Sequence, residues 1–170
     1  MYKLKPKKIV RTISFICVLS LYVFFSVPVF AENYEALEGL QGLNTVFDYA
    51  NGSPEEALVV FPAIREVYQS KSVASLPKPP ANVIVFHNHA VKFLTTNRTD
   101  DVKKNKTLDK VAAMIRQFSK DGVKMKVCIY AVKVFGIDPD TILPEIDKVP
   151  NGFISISGYQ AKGYSLVAIP

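Results

Sequence analysis

Apolar runs alternate with helix-type periodicity along the chain from residue 43 onward. The run Val83-Ile84-Val85-Phe86 shows no alternation of apolar and polar positions, which is typical of a strand buried on both faces of a parallel sheet. Other segments of strand-like composition, bounded by turn residues, predict further strands. The predicted strands cover residues 43–49, 82–87, 123–129, 146–149 and 164–169. By itself, the alternation over residues 153–157 predicts one more strand.

Helix signals fill the links between these strands. Ser53-Pro54-Glu55-Glu56 follows an Asn-Gly turn and predicts the start of a helix, which Pro62 is expected to kink or split. Over residues 107–119, apolar residues recur every three or four positions and predict an amphipathic helix that ends at Gly122. Shorter helical turns are predicted at 89–94, between 129 and Gly136, and from Asp138. Because strands and helices alternate with short links, the predicted fold class is α/β, with a mostly parallel sheet and helices on both faces.

The first 31 residues have the layout of a secretory signal. Residues 1–11 carry five basic residues and no acid, residues 13–30 are almost entirely apolar, and Val29-Phe30-Ala31 ends the segment with residues that a signal peptidase accepts. We expect cleavage after Ala31, which leaves a single domain of residues 32–170. The alternative is a retained transmembrane anchor, for which the apolar run is near the lower length limit.

Loss of this segment changes the charge of the chain. The formal net charge is +6, from 21 basic and 15 acidic residues, but five of the basic residues lie in the predicted signal. The remainder is therefore close to neutral, and no basic stripe with interleaved aromatic residues survives in it. We expect no nucleic-acid function, and no membrane contact after cleavage.

Cys128 is the main candidate for chemistry. Cys17 lies in the predicted signal, so the exported chain would hold a single thiol that has no partner for a disulfide within the chain. Cys128 lies where a predicted strand ends and a helix begins, with Lys126 and Lys133 nearby, and both features favour a reactive thiolate. The alternative is that Cys128 is a small buried hydrophobic residue.

Two histidines follow the second predicted strand, in His87-Asn88-His89. In a regular strand their side chains would project on one side, but two ligands are too few for a metal site. One interpretation is a polar strand end that faces solvent or caps a helix. Another is that His87 lies near Cys128 and tunes its ionisation, because parallel strands end at one edge of the sheet.

Short motifs follow one another in a characteristic order through the second half of the chain. They are Val127-Cys128-Ile129-Tyr130-Ala131, Gly136-Ile137-Asp138-Pro139, Ile142-Leu143-Pro144, Val149-Pro150-Asn151-Gly152 and Gln160-Ala161-Lys162-Gly163-Tyr164. Together with Val85-Phe86-His87, they resemble the exported branch of the DsrE/DsrF/TusD-like family. Two departures stand out: Val134-Phe135 occupies the place of a basic pair in sulfur-relay members, and the best-understood relays are cytoplasmic.

The resemblance implies a flavodoxin-like three-layer domain with a five-stranded, mostly parallel sheet, usually assembled as a homo- or hetero-oligomer. It also implies a helix, not a strand, over residues 152–162. In relay members the cysteine that matches Cys128 accepts sulfane sulfur as a persulfide and passes it to the next thiol. His87 matches a recurrent family position without a defined role.

The function expected from this resemblance is that of a periplasmic sulfur carrier, at most sulfurtransferase-like, whose partners are donor and acceptor thiols and which needs no cofactor. The alternative is a non-catalytic module of the same fold that binds a small ligand or a partner subunit, with Cys128 only packing the core. A third, weaker hypothesis is a metal site formed by Cys128, His87 and His89.

Overall fold

Five short strands form one sheet in which all neighbouring strands are parallel. The computed structural model describes residues 34–170, so the predicted signal and its cleavage site lie outside the described residues. The strands are β1 (Asn44–Tyr49), β2 (Ala81–Phe86), β3 (Lys124–Cys128), β4 (Asp147–Val149) and β5 (Ser165–Ile169). Their order in the sheet is β4-β3-β2-β1-β5, which confirms the predicted α/β class with a sheet that is entirely parallel.

The helices alternate with these strands. They are α1 (Pro54–Gln69), α2 (Lys71–Ala74), α3 (Val102–Lys120), α4 (Ile129–Val134) and α5 (Gly152–Ala161), with 3₁₀ helices at Glu35–Leu37, Asn88–Phe93 and Pro139–Thr141. In the described part of the chain, no helix combines the length and apolar character needed to cross a bilayer.

Helix α1 begins as its sequence predicts and then passes through its proline. The Ser53 side chain accepts a hydrogen bond from the Glu56 N–H at 3.1 Å, and Pro54 is the first helical residue. Pro62 lies inside the 16-residue helix on its exposed side, so the helix is not split there. Phe61 and Ile64, on either side of it, are buried in the core and hold the helix against the sheet.

Helix α3 begins five residues before the predicted start. Asp101 Oδ1 accepts hydrogen bonds from the N–H groups of Lys103 and Lys104, at 2.9 and 3.0 Å, and so caps the helix. The first turn is largely exposed and, apart from Val102, polar, which is why apolar periodicity did not reveal it.

Helix α5 replaces the strand that alternation alone predicted over residues 153–157. Asn151 precedes it, and its side chain accepts a hydrogen bond from the Phe153 N–H at 2.9 Å. The helix implied by the family resemblance is therefore confirmed, and the strand is wrong.

The two faces of the sheet are covered unequally. On one face, α1 and α3 close the larger core, in which residues such as Phe47, Ile84 and Met125 project from three neighbouring strands. On the other face, α5 closes a smaller core made of Val46, Val83, Val85 and Ile156. The described residues therefore form three layers, and Ile156 is the buried α5 residue of the smaller core.

Candidate functional site

Cys128 is the last residue of β3 and the residue immediately before α4. Strand β3 lies between β2 and β4, so the thiol is inside the sheet and not at its edge. Cys128 is only 4% exposed, and it is the free cysteine of the described residues. The sequence placed this residue correctly at the strand-to-helix junction, but could not say whether it is open to solvent.

The first turn of α5 covers the thiol. A Cβ atom added at Gly152 would lie 3.0 Å from Cys128 Cβ, 3.6 Å from Cys128 Sγ and 3.3 Å from Val85 Cγ1. These distances leave little room for a side chain, so a glycine is what allows the helix backbone to approach the cysteine. The start of α5, where the helix dipole is positive, therefore lies beside the sulfur.

His87 binds an acidic residue on the neighbouring strand. Its Nε2 contacts Asp48 Oδ1 of β1, and the two side chains are 12% and 26% exposed. A carboxylate accepts hydrogen bonds, so the role of Nε2 in this contact depends on the tautomer of the ring. Strand β1 flanks β2 on the side opposite β3, so His87 reaches toward Asp48 on the other side of β2 from Cys128.

Asp48, His87 and Cys128 nevertheless face the same side of the sheet. Asp48 is paired with Val85, and Val85 with Lys126, so these three residues project together. His87 and Cys128 each follow by two positions and project likewise. The side is that of α5, whose Phe153 ring meets the His87 ring edge-on at a centroid distance of 5.2 Å.

Asp48 was not predicted as a site residue. The signal was nevertheless present, since it is a lone acid within the otherwise apolar strand Val46-Phe47-Asp48-Tyr49. A carboxylate in such a position needs a partner, and His87 provides one.

His89 lies in a different environment from His87. Strand β2 ends at Phe86, and Asn88 has a positive φ of 51°, so the chain turns between the two histidines. The centroids of the His89 and Phe135 rings are 4.8 Å apart. The Lys92 Nζ lies 4.5 Å from the centroid of the Phe135 ring. The expectation that both imidazoles project on one side is therefore wrong, because the regular strand does not continue to His89.

The structure does not bring the three residues of the metal-site hypothesis together. Within residues 34–170, no group of three or more His, Cys, Asp or Glu side chains is arranged to hold a metal ion. Cys128, His87 and His89 do not form a ligand set.

Lys126 and Lys133, two lysines near Cys128 in the sequence, have different surroundings. Lys126 shares the face of Cys128 and forms an ion pair with Asp147, with Nζ and Oδ2 2.5 Å apart. Lys133 lines an open pocket of about 360 Å³ on α4 together with Lys148 of β4. The Nζ of Lys148 lies 3.4 Å from Oδ1 of Asp140.

The sequence matches the model of a known protein family. The model of the DsrE/DsrF-like family matches residues 60–169, which include β2 to β5 together with Cys128 and His87. The chain belongs to the DsrE/DsrF-like family. No curated protein matches the sequence significantly.

Solved structures share the DsrE/DsrF-like fold at low sequence identity. A protein of unknown function from Methanobacterium thermoautotrophicum, MTH1491, superposes with a TM-score of 0.57 and 18% identity, over 75% of this chain and 99% of its own. The ychN protein of E. coli superposes with a TM-score of 0.53 and 11% identity, over 76% of this chain and all of its own. At these identities the similarity establishes the fold alone.

Within this DsrE/DsrF-like domain, the site consists of one buried thiol at the carboxyl end of β3, covered by the start of α5. The Asp48–His87 pair lies on the same face, beyond β2.

Proposed function

We propose that this DsrE/DsrF-like protein carries sulfane sulfur on Cys128. The Cys128 thiolate attacks the outer sulfur of a donor persulfide, R–S–SH, so that a new S–S bond forms and R–S⁻ leaves. The protein then holds Cys128–S–SH. An acceptor thiolate attacks that outer sulfur in turn, and Cys128 leaves as the thiolate. Both steps are exchanges at a sulfane sulfur and need no external oxidant or reductant.

The observation that carries this proposal is the position of Cys128. It is the one thiol of the described residues, it ends a central parallel strand, and two helices begin beside it. Open parallel sheets place their reactive groups at the carboxyl ends of strands. Family membership also suggests a function of the sulfur-relay type.

We further propose that the protein works in the periplasm with donor and acceptor thiols of that compartment. The basic, apolar and small-residue regions of residues 1–31 support export. A carrier in an oxidising compartment must protect its thiol from unwanted disulfides, and a 4% exposed cysteine is protected in this way.

The proposal predicts that purified protein treated with a polysulfide gains sulfur on Cys128. The measurement is the mass of the intact protein and of its Cys128 peptide, which separates Cys128 from Cys17 where the latter is retained. A reductant should remove the added sulfur, and Cys128→Ser should gain none at that peptide while keeping its circular dichroism spectrum. Sulfur uptake by Cys128→Ser at an unchanged rate would contradict the proposal.

The burial of Cys128 also favours a second candidate, a non-catalytic binding or assembly module in which the cysteine only packs the core. In that case a small alkylating reagent would not reach Cys128 in the folded protein. Cys128→Ala and Cys128→Val would then each cost about 1.5 kcal/mol or less of stability, and function would be unchanged.

We also propose that protomers associate. Leu166 and Val167 of the edge strand β5 are 42% and 43% exposed, and they lie on opposite faces of the sheet. An apolar edge strand exposed on both faces is a liability for a monomer. Covering it with another copy of the chain removes that liability.

A further inference from the structure

The buried thiol raises a question of access. Sulfur transfer needs the donor sulfur to approach Cys128 Sγ directly, yet Cys128 is 4% exposed in this structure. The backbone that closes on the cysteine belongs to Gly152, the first residue of α5. Cys128 also packs with the larger core, which includes Ala131 and Val132 of α4, so movement of the first turn of α5 would open the other side of the cysteine.

Helix α5 buries fewer residues than α1 or α3, the long helices of the other face. Of its ten residues only Gly152 and Ile156 are buried, while Phe153 and Ile154 are 63% and 71% exposed. Five residues of α3, in contrast, are buried in the larger core. Segments with few buried apolar contacts open at lower free energy than the molecule as a whole.

The connections of α5 favour its separate movement. It enters from the short strand β4 through Pro150-Asn151, and it leaves through Gly163, whose φ is 83°. The strand that follows, β5, lies at the edge of the sheet, and residues 165–168 are exposed. Neither connection passes through the larger core.

We propose that α5 is a hinged cover over Cys128, closed by Ile156 in the smaller core, and that its local opening controls access to the thiol. Ile156 is 5% exposed and packs with Val46, Val83 and Val85 of the sheet. The same opening uncovers His87, because Phe153 rests on its ring. Sulfur exchange would then occur in the open form, and the closed form would shield the sulfur from other thiols.

Three matched isoleucine-to-alanine variants test this cover in the purified protein. Ile156→Ala removes its buried anchor, and Ile154→Ala makes the same change two residues earlier on the exposed side of α5. Ile115→Ala empties a fully buried site in α3, on the opposite face of the sheet, and lowers global stability without touching the cover. The readout is the alkylation rate of Cys128 by iodoacetamide, followed at its peptide.

The expected result is that Ile156→Ala raises the alkylation rate about tenfold or more, because it weakens the closed form selectively. Ile154→Ala should stay within about twofold of the parent protein, and so should Ile115→Ala in the absence of denaturant, despite its lower urea midpoint. Equal rates for Ile156→Ala and Ile154→Ala would overturn the proposal. So would acceleration by Ile115→Ala equal to that by Ile156→Ala, which would assign access to global unfolding.

The role of the cover in sulfur transfer rests on the proposed function, whereas the cover itself does not. Alkylation needs no sulfur donor, so the two claims fail separately. A faster alkylation of Ile156→Ala without any sulfur loading of the parent protein would keep the cover and refute the carrier function. Sulfur loading at the same rate in Ile156→Ala as in the parent protein would support the carrier function and refute the cover.

Discussion

Tyr49 shows how aromatic side chains pack in the larger core, and its hydroxyl group is buried there without a hydrogen bond to any described residue. Its side chain is completely buried at the end of β1, and its ring packs edge-on or tilted against Phe61, Phe86 and Phe93 at 5.4–6.2 Å. The phenol oxygen has no hydrogen-bond partner among the described residues. Burial, with a smaller contribution from Glu56, raises the pKa of Tyr49 to about 12.

This position predicts a specific alkaline sensitivity. The folded protein holds the phenol proton more tightly than the unfolded chain does, so the contribution of Tyr49 is complete below about pH 10 and is lost as the pH rises toward 12. The loss should amount to roughly 2–3 kcal/mol at its end. Tyr49→Phe should remove it, and should be neutral or slightly stabilising at neutral pH because no hydrogen bond is lost.

Urea unfolding of both proteins at neutral pH and at about pH 11 measures this difference directly, since the other titrating groups are common to the two. A parent protein and a Tyr49→Phe variant that lose the same stability between the two pH values would show that the phenol does not titrate as its burial requires.

Residue by residue, the sequence identified the candidate nucleophile but not its surroundings. Cys128 could be singled out because the predicted signal removes the other cysteine and because a strand signal ends there. The contact with Gly152 could not be foreseen, because it joins residues 24 positions apart through the packing of α5. Asp48 was missed for a similar reason, since its partner His87 follows another strand, β2.

At the scale of elements, local pattern was decisive for the Ser-Pro start of α1 and for the one-sided apolar face of α3. Helix α1 was predicted from Ser53-Pro54, and the apolar face of α3 from its spacing. Helix α5 has neither acid nor base, and its alternating Phe153–Ser157 segment fits a strand equally well. Tertiary context decides in favour of helix, because only Gly152 and Ile156 need to be buried.

Two glycines, one in a turn and one inside a helix, make a matched prediction. A Cβ at Gly52, in the turn from β1 to α1, would lie 2.6 Å from His89 Cβ and 3.2 Å from its backbone, which is a clash that side-chain movement cannot relieve. We expect Gly52→Ala to destabilise the protein by about 1–3 kcal/mol.

Gly158→Ala is the control for this substitution. It lies inside α5 with open space around a new Cβ, so alanine should stabilise the protein by about 0.5–1 kcal/mol. The free energy of unfolding of the two variants, from urea titrations, should change in opposite directions. A Gly52→Ala variant as stable as the parent would mean that the β1–α1 turn adapts to the larger residue.

For the whole molecule, the parallel sheet could be predicted because the apolar run of β2 does not alternate. The strand order could not, because the placement of β5 beside β1 and not beside β4 is a non-local choice. That choice carries α5 over the second face of the sheet and brings it onto Cys128. The unequal covering of the two faces is therefore the part of the site that no local pattern contains.

The exposed edge at β5 predicts association in solution. Light scattering after gel filtration should give the mass of a dimer or a larger assembly of this chain, because Leu166 and Val167 would be covered by another copy. The double variant Leu166→Lys and Val167→Lys should shift the protein toward the monomer without unfolding it. A parent protein that is monomeric at all concentrations tested would contradict this proposal.

A sulfur carrier must give up the sulfur that it takes. The most direct measurement is a single-turnover transfer, in which protein loaded from a polysulfide is freed of excess donor and mixed with an acceptor thiol, and the masses of both are followed. We predict that the sulfur leaves the Cys128 peptide and appears on the acceptor at the same rate, with Ile156→Ala faster than Ile154→Ala. Sulfur that never enters Cys128, or that enters and is not passed to the acceptor, would contradict the account.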